Sequence, residues 1–198
     1  MAALFQSLGR TVIAGIVILA VLVIIFSGGN LGDGGAYSLF FTRWLHVLSG
    51  VMWIGLLWYF NFVQIPSMPK IPDEQKPAIG KVIAPAALFW FRYGALATVI
   101  TGLLLIHQQG YLVEALTFAD SGVRAIGIGM WMGLIMAANV WFIIWPNQKK
   151  ALGIVSVDAD QKAAAAKTAM MASRFNTMLS IPMLYMMVAQ QNGGGAIF

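Results

Sequence analysis

Five long apolar runs constrain the fold of this chain more than any other feature of its sequence. They lie at 11–26, 39–65, 83–112, 123–145 and 169–189. Each run is near the ~20 residues that cross a ~30 Å hydrocarbon core as a helix. Such runs must be helical, because backbone N–H and C=O groups find no water in lipid. The sequence therefore predicts an all-α integral membrane protein with five transmembrane helices.

The runs divide the chain into three predicted segments. Residues 1–38 hold an N-terminal transmembrane helix and an outer loop, residues 39–190 hold a four-helix membrane bundle, and residues 191–198 form a Gly-rich tail. A secretory signal peptide is an alternative for the first run, because Arg10 precedes a short apolar core. However, no A-x-A cleavage site is clear, and residues 27–30 are typical of a turn. A retained first helix is therefore the favoured interpretation.

The composition agrees with a membrane protein. Hydrophobic residues make up 60% of the chain and charged residues 10%, against about 25% charged residues in soluble domains. Cysteine is absent, so the chain has neither a thiolate metal site nor the C-x-x-C-H motif that attaches a c-type haem. The basic residues form no stripe with interleaved aromatic residues, which argues against nucleic-acid binding.

The distribution of lysines indicates how the helices are oriented. Every lysine lies in the polar segment before the third run or in the linker between the fourth and fifth runs, namely at Lys70, Lys76, Lys81, Lys149, Lys150, Lys162 and Lys167. With five spans, both segments lie on one side of the membrane. The positive-inside rule then places the N-terminus in the cytoplasm and the C-terminus in the periplasm. The prediction is a multi-pass protein of a bacterial inner membrane.

The chain has two histidines, and this topology places both near the outer ends of successive helices. His46 lies early in the second run and His107 late in the third. At ~1.5 Å per residue, each lies within about two turns of the outer surface, so the two can face each other. Two helix-borne histidines at one depth can supply both axial ligands of a b-type haem. The alternative is that each histidine hydrogen-bonds in the interface region; a closed zinc site would need four ligands.

Small and basic residues near the predicted ligands fit a flat cofactor. Gly50 lies one turn from the first histidine, and Gly102 lies five residues before the second. Small residues let a macrocycle approach closely, although they serve ordinary helix packing equally well. Arg43 and Arg124 lie toward the outer side, where they can pair with haem propionates or anchor the chain at the interface. The sequence thus predicts a haem b site at the outer ends of the helices.

Polar residues also occur toward the inner ends of the helices. Arg92 lies in the third run, and Arg174 opens the sequence RFNT, which includes Asn176. Near a cytoplasmic boundary an arginine usually extends to the lipid headgroups. A second interpretation is a polar site around Arg174 and Asn176 that is structural or binds a substrate or a quinone.

Three stretches of the sequence resemble the membrane domain of the bacterial membrane-bound urate oxidase (urate hydroxylase) family. They are residues 43–55 (RWLHVLSGVMWIG), 145–149 (WPNQK) and 174–182 (RFNTMLSIP), and the resemblance extends over about residues 40–190. The H-x6-W-x-G pattern in the first stretch is also similar to copper-resistance membrane proteins. It is similar as well to the haem-dependent protoporphyrinogen oxidase group, whose members bind haem through ligands on helices.

The resemblance implies a multi-helix membrane domain with a redox function. Full-length members of the urate oxidase family end in a cytochrome c domain that follows the last helix on the periplasmic side. This chain departs from that pattern, because it stops at Phe198 and has no cysteine. We therefore expect any c-type cytochrome to be a separate partner.

Three functions follow as hypotheses. The first is a membrane-embedded b-type haem protein that passes electrons near the periplasmic face to a cytochrome c or a larger electron-transfer complex. The second is a urate hydroxylase-like oxidoreductase with a substrate pocket around Arg174 and Asn176. The third is a non-catalytic accessory subunit of a respiratory or photosynthetic complex, surrounded by membrane lipid. The G-x-x-x-G motif at 129–133 would permit an oligomer, although such matches are common.

Overall fold

The computed structural model describes residues 2–27 and 33–192. These residues are almost entirely helical and form no strand, which confirms the prediction of an all-helical chain. Most of the turn predicted at 27–30 and most of the Gly-rich tail lie outside the described residues. The α-helices are α1 (Ala2–Phe5), α2 (Leu8–Ser27), α3 (Gly34–Trp58), α4 (Ile65–Ser67), α5 (Lys76–Ala78), α6 (Ala84–Gln109), α7 (Leu112–Thr117), α8 (Arg124–Asn139), α9 (Trp145–Ala151) and α10 (Ala159–Ala189).

Three π-helical segments join some of these helices into longer rods. They are π1 (Tyr59–Gln64), π2 (Ile79–Ile83) and π3 (Val140–Ile144). The α-helix after each segment has a proline in its first turn, at Pro66, Pro85 and Pro146. A proline has no N–H to donate to the carbonyl four residues earlier, and that carbonyl lies in the π-helical segment each time. The wider turn therefore forms where the regular hydrogen-bond ladder lacks a donor.

Several of the described helical rods are compatible with membrane spans. Four are long and apolar enough to cross a bilayer: Leu8–Ser27, Gly34–Lys70, Lys76–Gln109 and Ser121–Ala151. The fifth run lies in α10, which has 31 residues but is less apolar. Its mean hydropathy is lowered by polar residues such as Ser173, Asn176 and Ser180, which are buried against other helices. The number of spans, five, and their orientation remain predictions.

By its internal contacts the chain divides into two compact units, Met1–Phe41 and Thr42–Phe198. In the first unit, α2 has no buried residue. The second unit is a bundle of the remainder of α3, α6, α8 and α10, with α8 and α10 in the most extensive contact. Its core contains Trp53, Leu57 and Phe91, which are almost completely buried.

Close approaches between helices show the antiparallel order of the bundle. The ring of His46 lies against Gly102, and Trp53 lies against Gly94, so α3 and α6 run in opposite directions. The backbone of Ile126 bonds the side chain of Gln190, so the start of α8 lies beside the end of α10. We call this end of the bundle the cavity end. The opposite end, where the chain carries Lys70, Lys76, Lys149 and Lys150, is called the lysine end.

Candidate cofactor cavity

A cavity of about 590 Å³ opens between the helices at the cavity end of the bundle. Its walls come from residues 43–58 of α3, 98–109 of α6, 126–134 of α8 and the last turns of α10. The volume is in the range of sites for cofactors and drug-sized ligands, roughly 300–1,000 Å³. Most lining residues are apolar, and the few polar ones include His46, Arg43, Gln109 and Tyr111. Such a space suits an apolar cofactor with a polar edge.

His46 lines this cavity and is held in one orientation by α6. Its Nδ1 lies 3.0 Å from the carbonyl oxygen of Thr98 and 3.3 Å from Oγ1 of Thr101. A carbonyl oxygen can only accept, so Nδ1 donates its proton and Nε2 of the neutral ring retains its lone pair. Nε2 makes no hydrogen bond with any residue that the structure describes. A backbone carbonyl that fixes the tautomer in this way is typical of histidines that ligate metals.

Gly102 makes room for this imidazole ring. A Cβ atom at Gly102 would lie 2.8 Å from Cε1 and 3.1 Å from Nδ1 of His46. Gly50, which also lines the cavity, is less crowded, because a Cβ there would come no closer than 4.0 Å to Thr98. The two glycines therefore differ in role: one is required by the position of the ring, and the other leaves space in the cavity.

Arg43 brings a positive charge to the cavity. Its Nε is buried and has no hydrogen-bond partner among the residues that the structure describes. Tyr111 lies near enough for the Arg43 charge to act on it. The hydroxyl of Tyr111 donates a hydrogen bond to Oε1 of Gln109 at 2.8 Å. Within the described residues, the cavity therefore offers one buried cationic donor without a hydrogen-bond partner, beside a phenol hydroxyl.

The structure does not bring the other predicted residues into this cavity. His107 is exposed and does not line it. It follows Gly102 by five positions, which turns its side chain by about 140° around the helix at 3.6 residues per turn. Arg124 is exposed as well and is not among the lining residues. The structure thus places His46, Arg43, Gly50 and Gly102 together and leaves His107 and Arg124 outside.

The predicted pair Arg174 and Asn176 does not form one pocket. Arg174 is exposed, whereas Asn176 is completely buried. Asn176 accepts a bond from Nδ2 of Asn139 at 2.7 Å and donates to the carbonyl oxygen of Met136 at 2.9 Å. Its amide joins α10 to α8, so the residue has a structural role.

The sequence analysis did not predict several of the residues that line the cavity. Met130, Met183 and Met187 line the cavity, as do Tyr111 and Gln190. The spacing of Met183 and Met187, one helical turn apart, could have indicated a shared face. No signal in the sequence distinguishes Tyr111, which reaches the cavity because the chain turns sharply after α6 at Gly110, where φ is +81°.

Groups of three or more metal-ligating side chains (His, Asp, Glu or Cys) do not occur among residues 2–27 and 33–192. A bare metal ion held by several such side chains therefore has no candidate site in this part of the chain. A metal held mainly by a macrocycle needs only one or two protein ligands, and His46 can be one of them.

Comparison with known proteins gave one informative result. Residues 117–193 match a family model described as "Urate oxidase N-terminal". The matched part contains the stretches 145–149 and 174–182 but not 43–55. Comparisons with curated proteins and with solved structures gave no match. The matched helices, α8 and α10, supply Met130, Met183 and Met187 to one wall of the cavity, and the match relates this part of the chain to a urate-oxidase-related family.

Proposed function

We propose that this urate-oxidase-related membrane protein holds a b-type haem in the cavity and moves electrons at that end of the bundle. The observation that carries the proposal is the state of His46. Its Nδ1–H is fixed by the carbonyl oxygen of Thr98 at 3.0 Å, and its free Nε2 belongs to a side chain that lines an apolar cavity of about 590 Å³. When bound, the haem would supply a one-electron couple whose potential depends on ligand type and burial.

The residues around His46 fit the other parts of a haem. The unpartnered Nε of Arg43 can donate a charge-assisted hydrogen bond to a propionate. The apolar side chains from α8 and α10 exclude water from the macrocycle and stabilise it by burial. His107 and Arg124 lie outside the cavity, so His46 is the residue that would hold the haem iron.

The proposed membrane arrangement follows the lysines. With α10 as the fifth span, the lysine end lies in the cytoplasm and the cavity end faces the periplasm of a bacterial inner membrane. This arrangement would bring the haem within reach of a periplasmic cytochrome c or of a larger electron-transfer complex. Labelling of single engineered cysteines near Asp120 and near Lys150 from each side of the membrane tests the orientation, since the chain has no native cysteine.

Reduced-minus-oxidised spectra of the purified protein test the proposal. We expect b-type absorbance after expression with sufficient haem, and its absence would refute the haem site. A urate hydroxylase-like enzyme is the second candidate, because the matched family model bears the name of urate oxidase. Addition of urate to the oxidised protein separates the two: reduction of the haem by urate supports an enzyme, and an unchanged spectrum supports electron transfer alone.

A further inference from the structure

The cavity extends well beyond His46 toward the lysine end of the bundle. Its wall on α3 runs from Arg43 to Trp58, and at ~1.5 Å per residue this wall is about 22 Å long. His46 lies one turn from the Arg43 end, so most of the wall lies on the other side of the histidine. We call this farther part of the cavity the inner chamber, and its lining includes Trp53, Gly55, Trp58, Gly133 and Met183.

Contacts between the helices place these residues at one level of the bundle. Nε1 of Trp58 donates to the hydroxyl of the α10 residue that precedes Met183 by three positions. A Cβ atom at Gly129 would lie 3.2 Å from Cβ of Met186. Because α8 and α10 run in opposite directions, one turn along each helix brings Gly133 beside Met183. The inner chamber is therefore one region between α3, α8 and α10.

Two glycines leave open space in the inner chamber. A Cβ atom added at Gly55 or at Gly133 would have no contact within 4 Å among the described residues. Gly102 differs, because the ring of His46 occupies the space beside it. The glycine near the histidine therefore serves close packing, whereas the two glycines of the inner chamber keep room for an occupant.

One buried donor in this chamber lacks a partner. Trp53 lines the cavity and is 1% exposed, and its Nε1 has no hydrogen-bond partner among the residues that the structure describes. Such a donor is costly to a fold, and a bound acceptor explains why it is retained. Trp53 lies two turns, about 10 Å, beyond His46 on the same face of α3, whereas Arg43 lies on the opposite side of the histidine. A haem whose propionates reach Arg43 therefore directs no oxygen to Trp53, and a second molecule must supply the acceptor.

The cavity also reaches the side of the bundle along one stripe of α3. Val47, Val51 and Trp58 lie on this stripe at intervals of one or two turns, and each lines the cavity while being exposed. Gly55, which is also exposed, lies between Val51 and Trp58 and has no side chain to block the gap. In a bilayer this stripe faces acyl chains and not water, because α3 belongs to a rod long and apolar enough to span. A ligand that enters here is soluble in the bilayer.

We propose that the inner chamber binds the ring of a lipid-soluble quinone. One ring carbonyl oxygen accepts from Nε1 of Trp53, and the hydrocarbon tail leaves the bundle beside Gly55. A quinone ring is flat and largely apolar and carries acceptors without donors, which matches an apolar chamber with an unpaired N–H. This inference goes beyond the proposed function and does not depend on the haem. It gives an electron-transfer protein a partner of defined chemical class within the bilayer.

Two substitutions test the two features of the chamber separately. Trp53→Phe keeps an aromatic ring and removes the N–H. Its matched control is Trp141→Phe, because Nε1 of Trp141 is also buried without a partner among the described residues, but Trp141 does not line the cavity. Gly133→Leu fills the chamber from α8. Its matched control is Gly15→Leu, because a Cβ at Gly15 likewise meets nothing within 4 Å among the described residues and Gly15 does not line the cavity.

Binding of 2-decyl-1,4-naphthoquinone to the full chain in detergent is measured by calorimetry, with 2-decylnaphthalene as the probe that lacks carbonyl oxygens. We expect the quinone to bind at saturation to one site. Trp53→Phe should weaken quinone binding about three- to tenfold, as expected for the loss of one hydrogen bond, and leave binding of the naphthalene unchanged. Gly133→Leu should abolish quinone binding, and both control variants should bind normally. No saturable binding, an equal loss in Trp141→Phe, or the same effect of Trp53→Phe on both compounds would overturn the proposal.

A phospholipid ester oxygen can accept the same hydrogen bond, so the titration is repeated with dihexanoyl phosphatidylcholine present. Quinone binding that resists this lipid at equal concentration supports the assignment. Displacement of the quinone by the lipid would overturn it and leave a phospholipid as the occupant.

Haem content measured in the same preparations separates this inference from the haem proposal. Quinone binding in a protein without haem would support the inner chamber and refute the haem site. Haem without quinone binding would do the reverse. Gly133→Leu should retain its haem, and loss of haem in this variant would show that one occupant fills the whole cavity and would overturn the separate chamber.

Discussion

The two halves of the bundle leave opposite kinds of polar groups unsatisfied. Around the cavity, the buried atoms that have no partner within the described residues are both donors, Nε of Arg43 and Nε1 of Trp53, beside an open space of about 590 Å³. Toward the lysine end, most such atoms of the described residues are acceptors, the side-chain amide oxygens of Asn61, Gln64, Asn139 and Gln148. Donors around an apolar space suit a cofactor with an anionic edge. The contrast teaches that the two ends of one bundle can leave different kinds of polar group unpaired.

The largest predicted effect distinguishes two glycines of the cavity. Gly102→Ala places a Cβ 2.8 Å from Cε1 of His46, so the imidazole must move and lose its bond to Thr98. We expect haem content to fall nearly as far as in His46→Ala. Gly50→Ala, whose Cβ meets only Thr98 at 4.0 Å, should retain most of the haem. Equal haem retention in both variants would show that the position of His46 does not determine binding.

The charge at the cavity gives the next largest effect. Arg43→Gln removes the unpartnered guanidinium Nε, and hydrogen bonds to charged groups contribute roughly 1.5–3 kcal/mol. Haem affinity, measured by transfer of haem to an apoprotein acceptor, should therefore fall by about tenfold or more. Arg124→Gln is the matched control, because Arg124 is exposed and outside the cavity. A similar loss in both variants would refute the specific role of Arg43.

The polar contacts between α8 and α10 predict an effect on stability that spares the cavity. Asn176→Leu leaves Nδ2 of Asn139 with one bond fewer and the Met136 carbonyl oxygen without this donor. The free energy of unfolding in detergent should fall by about 1–3 kcal/mol, with the haem spectrum unchanged in the folded fraction. Asn147→Leu removes an exposed hydrogen bond to the carbonyl oxygen of Ile143 and should lower the free energy of unfolding far less. An altered spectrum in Asn176→Leu would mean that the contact also shapes the cavity.

The smallest effect concerns the loop at the lysine end. Lys76 hydrogen-bonds Asp73 and attracts its charge, and this lowers the pKa of the Asp73 carboxyl. A carboxyl group whose pKa is lowered on folding stabilises the folded state at pH values above its ordinary pKa. That stabilisation is lost as the pH falls through the lowered pKa. Because Asp73 is fully exposed and such pairs contribute little, Asp73→Asn should not change the melting temperature at neutral or acidic pH. A measurable drop at neutral pH alone would show that the loop is less solvated than its exposure indicates.

Apolar run length predicted the long helices, because an apolar run of this length forms a helix wherever its backbone finds no water to bond. It also predicted the fifth run within α10, although Ser173, Asn176 and Ser180 bond other helices and make this helix more polar. It also gave no sign of the π-helical segments, although each precedes a proline visible in the sequence.

For the site, the sequence placed both histidines toward one end of the bundle but did not give the direction of their side chains. His46 and His107 share one end of the bundle, yet direction depends on helix rotation, which four-helix packing determines. The register of α6 turns Gly102 and Thr98 toward His46 and turns His107 away. The unpartnered amides were equally hidden, because an unsatisfied oxygen becomes apparent only when its neighbours are placed.

Haem quantified per chain by the pyridine haemochrome method tests the central claim most directly. The measurement is made on the unaltered protein, on His46→Ala and on His107→Ala, each purified from cells with sufficient haem. We predict one haem per chain in the unaltered protein, none in His46→Ala and one in His107→Ala. Haem retained in His46→Ala, or lost equally in His107→Ala, would contradict the assignment of His46 as the ligand that the cavity presents.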